Sequence, residues 1–168
     1  MQLTPMMERF ILHFGEMGSR WGFNRTVGQM YGLIVISDTP LSANDIADAL
    51  GISRGNVSMG IKELESWRLL AVKHIPGDRK EYYAAAGSIL EMARRVMEER
   101  KRREFDPTLT LLRDTLLETP ANPGEAHAQL KMREIHDLLE VAARWADEVQ
   151  AMSLDSLQTL LKLGAGVG

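Results

Sequence analysis

Between Pro40 and Tyr83 the hydrophobic period switches from helical to alternating, and each switch is marked by a capping or turn residue. Ser42-Ala43-Asn44-Asp45 is a helix start, in which the Ser42 hydroxyl can accept from an orphan backbone N–H while Asp45 complements the positive helix end. Ile46 and Leu50 lie four apart on the inner face, and Gly51 follows where helices commonly end in a left-handed residue. Ser53 can cap a second helix, along which Val57, Ile61 and Leu64 recur at helical spacing and face inward. That leaves Arg54, Asn56, Ser58, Met59 and Lys62 outside. Gly55 and Gly60 each lower helix propensity by up to roughly 1 kcal/mol relative to Ala, so this helix is expected to lie close against another backbone. After Trp67 the period changes again. Leu70, Val72 and Tyr82 suit short strands, Pro76-Gly77-Asp78 is a turn cluster, and Arg79 and Lys80 fall at or just beyond the hairpin tip.

Helix, Gly turn, capped helix, strand, basic turn and strand, in that order, make a winged helix-turn-helix. Each piece alone occurs in many globular domains as caps, turns and solvated charge; the ordered combination is far more specific. The expected fold is mainly α with a small β-hairpin wing, flanked by N- and C-terminal dimerisation helices. The chain divides into N-terminal helices for dimer formation and packing over 1–37, a winged helix-turn-helix over 38–86, and a long connecting helix with C-terminal dimerisation helices over 87–168. The outward residues of the second helix are of the types that reach base edges and phosphates when a helix enters the major groove by its first turns. A basic wing tip can touch phosphate or probe the minor groove. The candidate contacts to double-stranded DNA are Ser42, Ser53, Arg54, Gly55, Asn56, Ser58, Met59, Lys62, Arg79 and Lys80. The alternative is a winged helix serving as a protein-interaction module in a chromosome or transcription assembly.

Trp21-Gly22-Phe23-Asn24-Arg25, Gly28-Gln29-Met30-Tyr31-Gly32-Leu33, Gly51-Ile52-Ser53-Arg54-Gly55-Asn56-Val57-Ser58 and Gly77-Asp78-Arg79-Lys80-Glu81-Tyr82-Tyr83 resemble the GbsR-type branch of the MarR-like transcriptional regulators. The resemblance extends through Arg102-Arg103-Glu104-Phe105-Asp106-Pro107-Thr108-Leu109 to the final helical tail. It implies a homodimeric one-component regulator with DNA contacts in the second helix and wing. In some members of that branch the sensed ligand is a small quaternary-ammonium osmolyte or its precursor.

Charge is unevenly distributed. Residues 51–80 carry 6 basic and 3 acidic side chains, residues 105–168 carry 5 and 10, and the whole chain has a net charge of −3. Positive charge thus collects on the second helix and wing, while the C-terminal third is unsuited to face phosphates. The run Arg100-Lys101-Arg102-Arg103, flanked by Glu98, Glu99 and Glu104, reads as a solvated helix face. No apolar run approaches membrane-spanning length, the N-terminus has no signal-peptide pattern and cysteine is absent, so a cytoplasmic protein without thiol sensing is expected. His13, His74, His127 and His136 show no metal-ligand spacing, and no nucleophile elbow or phosphate-binding glycine motif occurs. No catalytic residue, metal or cofactor is expected.

Met7, Phe10, Phe14, Met17 and Trp21 form an apolar seam near the N-terminus, and Ile135, Leu138, Ala142, Trp145, Val149 and Met152 form another near the C-terminus. Burial within one subunit or a dimer interface would account for both. Phe14, Met17, Trp21 and Trp145 are the candidate ligand contacts, since aromatic faces hold a desolvated quaternary ammonium by cation-π attraction. Gly18 with Gly22, and Gly28 with Gly32, are spaced to let another helix approach. Pro107 is expected to kink or restart the helix that begins near Ser88, and Thr119 to Gly124 to form a loop.

Overall fold

The computed structural model describes residues 2–20 and 22–166, which divide into two compact units with the boundary between Ser88 and Ile89. The N-terminal unit contains α1 (Pro5–Arg20), α2 (Arg25–Ile36), β1 (Leu41–Ser42), α3 (Ala43–Leu50), α4 (Arg54–Ser66), β2 (Leu70–His74) and β3 (Glu81–Ala85). Its centre is α2, which buries Val27, Met30, Tyr31, Leu33 and Ile34 and packs against α1, α3, α4 and β3. A helix apolar on nearly every face has no solvent side to present, so its neighbours surround it. Ile46, Val57, Leu64 and Leu69 complete the core, and the Phe23 and Trp67 rings meet at 4.0 Å.

Glycine sets the separation of α1 from α2. A Cβ on Gly28 would lie 3.0 Å from both the Gly15 Cα and the Phe14 carbonyl oxygen, and one on Gly18 would lie 3.1 Å from the Gly28 Cα. The residues meeting Gly28 are therefore Gly15 and Gly18, and the expected pairing of Gly18 with Gly22 is corrected: Gly22 follows the helix in a positive-φ turn. Gly32 does face the other helix, against the Phe14 side chain. The buried stripe of α1 is Ile11, Gly15 and Gly18; Met7, Phe14 and Met17 are half-buried beside it and Phe10 is exposed. Trp21 lies outside the described residues.

The sheet is antiparallel in the order β1-β3-β2, with Leu41 and Val72 both opposite Tyr83 on the central strand. Burial, aided by a 2.8 Å hydrogen bond donated to Glu81, pushes the Tyr83 hydroxyl up to about 12.

The C-terminal unit contains α5 (Ile89–Arg100), a π-helical turn over Lys101–Phe105, α6 (Asp106–Leu116), α7 (Pro123–Ala151) and α8 (Leu154–Ala165). The chain remains helical through Pro107, which occupies the first turn of α6. The wider π turn lies just upstream. It places Lys101 over Asp106, five residues on, and the Lys101 ammonium lies 3.1 Å from the carboxylates of both Asp106 and Asp147.

The basic run is thus not merely a solvated face. Glu99 is only 4% exposed and accepts from the Arg102 Nη2 at 2.6 Å and the Arg103 Nε at 3.4 Å. Burial raises the pKa of Glu99, but the bonds and charges of these two arginines outweigh it and hold the carboxyl below its ordinary value. Arg94 donates to the Gln150 side chain at 3.1 Å and the Met152 carbonyl at 2.9 Å, tying α5 to the end of α7. A cleft of about 390 Å³ between α6 and α7 is lined by Lys101, Asp106, Arg113, Glu140, Arg144 and Asp147.

On α7 the expected seam is largely open: Ile135, Leu138 and Trp145 are exposed, and Ala142, Val149 and Met152 are half-buried.

Candidate nucleic-acid interface

The second helix of the motif is positioned by two caps and a turn. Ser42 and Asp45 form a complete capping box at the start of α3: the Asp45 N–H donates to the Ser42 Oγ at 3.3 Å, and the Ser42 N–H donates to the Asp45 Oδ2 at 2.8 Å. The Ser42 hydroxyl also donates to that oxygen at 2.6 Å. These bonds hold the Asp45 carboxyl below its ordinary value. Gly51 ends α3 at φ +63°, where its own N–H reaches the Ala47 carbonyl. Ser53 then caps α4, accepting from the Asn56 N–H at 3.2 Å.

This geometry rotates α4 so that Val57, Gly60, Ile61 and Leu64 are buried, while Arg54, Gly55, Asn56, Ser58, Met59 and Lys62 are exposed. Met59 is 65% exposed, an apolar side chain among polar and basic ones. No acidic residue occurs on α4 before Glu63, so its first two turns present only neutral groups, cations and the positive end of the helix dipole.

The two glycines have opposite environments. Gly60 faces α2, where an added Cβ would collide with the Met30 thioether, so its missing side chain serves the protein's own core rather than a DNA backbone. Gly55 is open, with nothing nearer to an added Cβ than the Ser53 Oγ at 3.8 Å.

The wing is held from within. At the turn Gly77 has φ +86°, and the Asp78 N–H donates to the Ile75 carbonyl at 3.0 Å. The Asp78 carboxylate accepts from the Lys80 backbone N–H at 2.9 Å and from the Tyr82 hydroxyl at 2.8 Å. Those bonds lower the Asp78 pKa and raise that of Tyr82. Arg79 and Lys80 are exposed beside this frame. From the sequence Asp78 was read only as part of the Pro76-Gly77-Asp78 turn cluster, although an Asp after Pro-Gly is also a signal for a side chain that bonds backbone two residues on.

Ser42 is set apart from the other candidates. It is 5% exposed and its hydroxyl is engaged in the α3 cap, so it acts by holding α3. The ligand candidates are divided between the two units. Phe14 stacks on Phe10 at 5.2 Å and meets Tyr31 at 6.1 Å in the N-terminal unit, with Met17 half-buried on the same helix. Trp145 belongs to the C-terminal unit, is 63% exposed and does not line its cleft. Among the described residues no His, Asp and Glu cluster is arranged to hold a metal, and no helix is long and apolar enough to cross a membrane.

Two capped helices joined through a left-handed glycine and followed by an antiparallel hairpin define a winged helix-turn-helix. The model of the MarR family matches residues 21–81, the stretch that holds this motif. A crystal structure described as a transcriptional regulator aligns with 87% of this chain and 96% of its own at 20% identity, with a TM-score of 0.67. More distant are the MepR–DNA complex of S. aureus, at 19% identity over 66% of this chain and 95% of its own with a TM-score of 0.40, and Tm0710 of Thermotoga maritima, at 16% over 82% and 91% with 0.39. No curated protein matches the chain.

Proposed function

We propose that this chain is a DNA-binding transcription regulator and not an enzyme, acting as a homodimer that sets two copies of α4 into successive major grooves of a roughly palindromic site. The observation that carries this reading is the outward face of α4. Six exposed positions, Arg54, Gly55, Asn56, Ser58, Met59 and Lys62, are free of acidic groups at the positive end of a capped helix, and the exposed cations Arg79 and Lys80 lie at the wing tip. Ser53 supports the same surface, since a hydroxyl that accepts from Asn56 retains a proton to donate to phosphate.

Binding of the full chain to a random duplex across a salt series tests this. A DNA-binding protein loses affinity steeply as salt rises, whereas a winged helix used as a protein-interaction module binds little at any salt. Arg54→Ala and Lys62→Ala are expected to weaken binding without unfolding the protein. A lost guanine contact costs about 1–3 kcal/mol at one base pair, and a lost phosphate contact weakens all sequences alike.

The homodimer draws support from the open apolar side chains of α7, with Leu138 at 69% and Trp145 at 63% exposure. Placement in the GbsR-type branch rests on the sequence tracts given above, and in some members of that branch the sensed ligand is a quaternary-ammonium osmolyte or its precursor. For that effector Phe14 with its Tyr31 neighbour offers an aromatic face, as does Trp145. Titration with choline while tryptophan fluorescence and operator affinity are followed tests it. A choline effector changes operator affinity, and an unchanged affinity removes it from the proposal.

A further inference from the structure

Gly55 poses a problem that the protein's own packing does not solve. It lies in the first turn of α4 with an ordinary helical φ, is exposed, and an added Cβ would meet only the Ser53 Oγ at 3.8 Å. Alanine would fit there and favour the helix. Four residues on, Met59 exposes 65% of its surface. Helical side chains lean toward the N-terminus, so Met59 leans toward the turn that holds Gly55, yet no Met59 side-chain atom comes within 4 Å of the place a Gly55 Cβ would take. Asn56 is exposed one turn before Met59, and its cap bond to Ser53 uses only the backbone N–H, leaving the side-chain amide uncommitted in that bond.

Resting on the DNA-binding reading, we infer that Gly55, Asn56 and Met59 together read A·T pairs in the major groove. The Asn56 amide donates to N7 and accepts from the N6 amino group of an adenine, a pairing specific to that base. The Met59 thioether and methyl group pack against the 5-methyl group of a thymine, the one apolar mark on the groove floor. Residues three apart on a helix have Cβ atoms about 5–6 Å apart, close enough for these two side chains to serve neighbouring base pairs. Gly55 lets the helix backbone approach the groove and leaves room beside Met59 for the methyl group.

Selection of duplexes by the full chain from a random pool gives its preferred site, and replacing each thymine in turn by deoxyuridine removes one methyl group and nothing else. One thymine in each half-site is expected to matter. Its replacement weakens wild-type binding about fourfold, the worth of one methyl-sized apolar group. The Met59→Ala protein, with a normal melting temperature because Met59 is exposed, is already weakened and does not respond to the same replacement. Asn56→Ala loses its preference for adenine at the neighbouring pair. Gly55→Ala melts no lower than wild type yet binds the site more weakly. Equal responses of wild type and Met59→Ala to deoxyuridine at every position overturn the inference, as does a selected site without A·T pairs or full affinity in Gly55→Ala. These outcomes leave DNA binding intact; a wild-type protein that enriches no duplex removes both readings.

Discussion

At the scale of single residues, the α3 cap is a stability device with a pH signature. Ser42 and Asp45 exchange three hydrogen bonds, and Ser42→Ala is expected to cost about 1 kcal/mol in a urea titration, the usual loss for an N-cap. Asp45 and Glu99 both titrate below their ordinary values of 3.8 and 4.5. A carboxyl with a lowered folded pKa contributes its stability in full above the unfolded value, then loses it as pH falls through the folded one. The melting temperature should therefore not depend on these two groups between about pH 6 and 8, and should fall below about pH 4.5 as each takes up a proton. The acid-side drop should shrink in Asp45→Asn, which cannot titrate. Thermal melts of both proteins from neutral to acid pH check the expectation.

At the scale of the element, two glycines on α4 separate the demands of folding from those of binding. Gly60→Ala drives a Cβ into the end of the Met30 side chain beneath it, and Met30 is fully buried, so its thioether has to shift within a packed core. Overpacking of that kind costs about 1–3 kcal/mol, whereas Gly55→Ala should stabilise α4 by up to about 1 kcal/mol. Opposite shifts in melting temperature are the expected result. On the wing, Arg79→Ala should lower affinity for any duplex and reduce the slope of log affinity against log salt by about one unit if Arg79 meets a phosphate. The caps at Ser42 and Ser53, the left-handed Gly51 and the hairpin turn were legible in the sequence because each is a local arrangement of a few residues. The rotation of Gly60 toward Met30 was not, because its cause is a side chain distant in sequence. The π turn was also hidden: its i,i+5 pairing of Lys101 with Asp106 leaves no mark in hydrophobic periodicity, whereas the restart at Pro107 was legible in the proline itself. The exposed face of α4 was legible in its apolar period, while the inward engagement of Ser42 required the capping geometry.

At the scale of the whole molecule, the C-terminal unit leaves a large apolar surface on a helix of 29 residues. If a second chain covers it, Leu138→Glu should shift the protein toward monomer in sedimentation equilibrium and weaken binding to a two-half-site duplex much more than to a single half-site. Folding would then be linked to protomer concentration, and the wild-type melting temperature should rise with concentration while that of Leu138→Glu stays constant.

The sheet order has a separate consequence for solubility. With β3 in the middle, β2 is left as an edge whose outer backbone groups can template another strand. Lys73 lies within that edge and Pro76 stands just past its end, and these are the charge and the missing donor that discourage strand-to-strand growth. A wing whose tip carries Arg79 and Lys80 is thereby also shielded from its own kind: Lys73→Val should leave the fold in place and increase light scattering on storage.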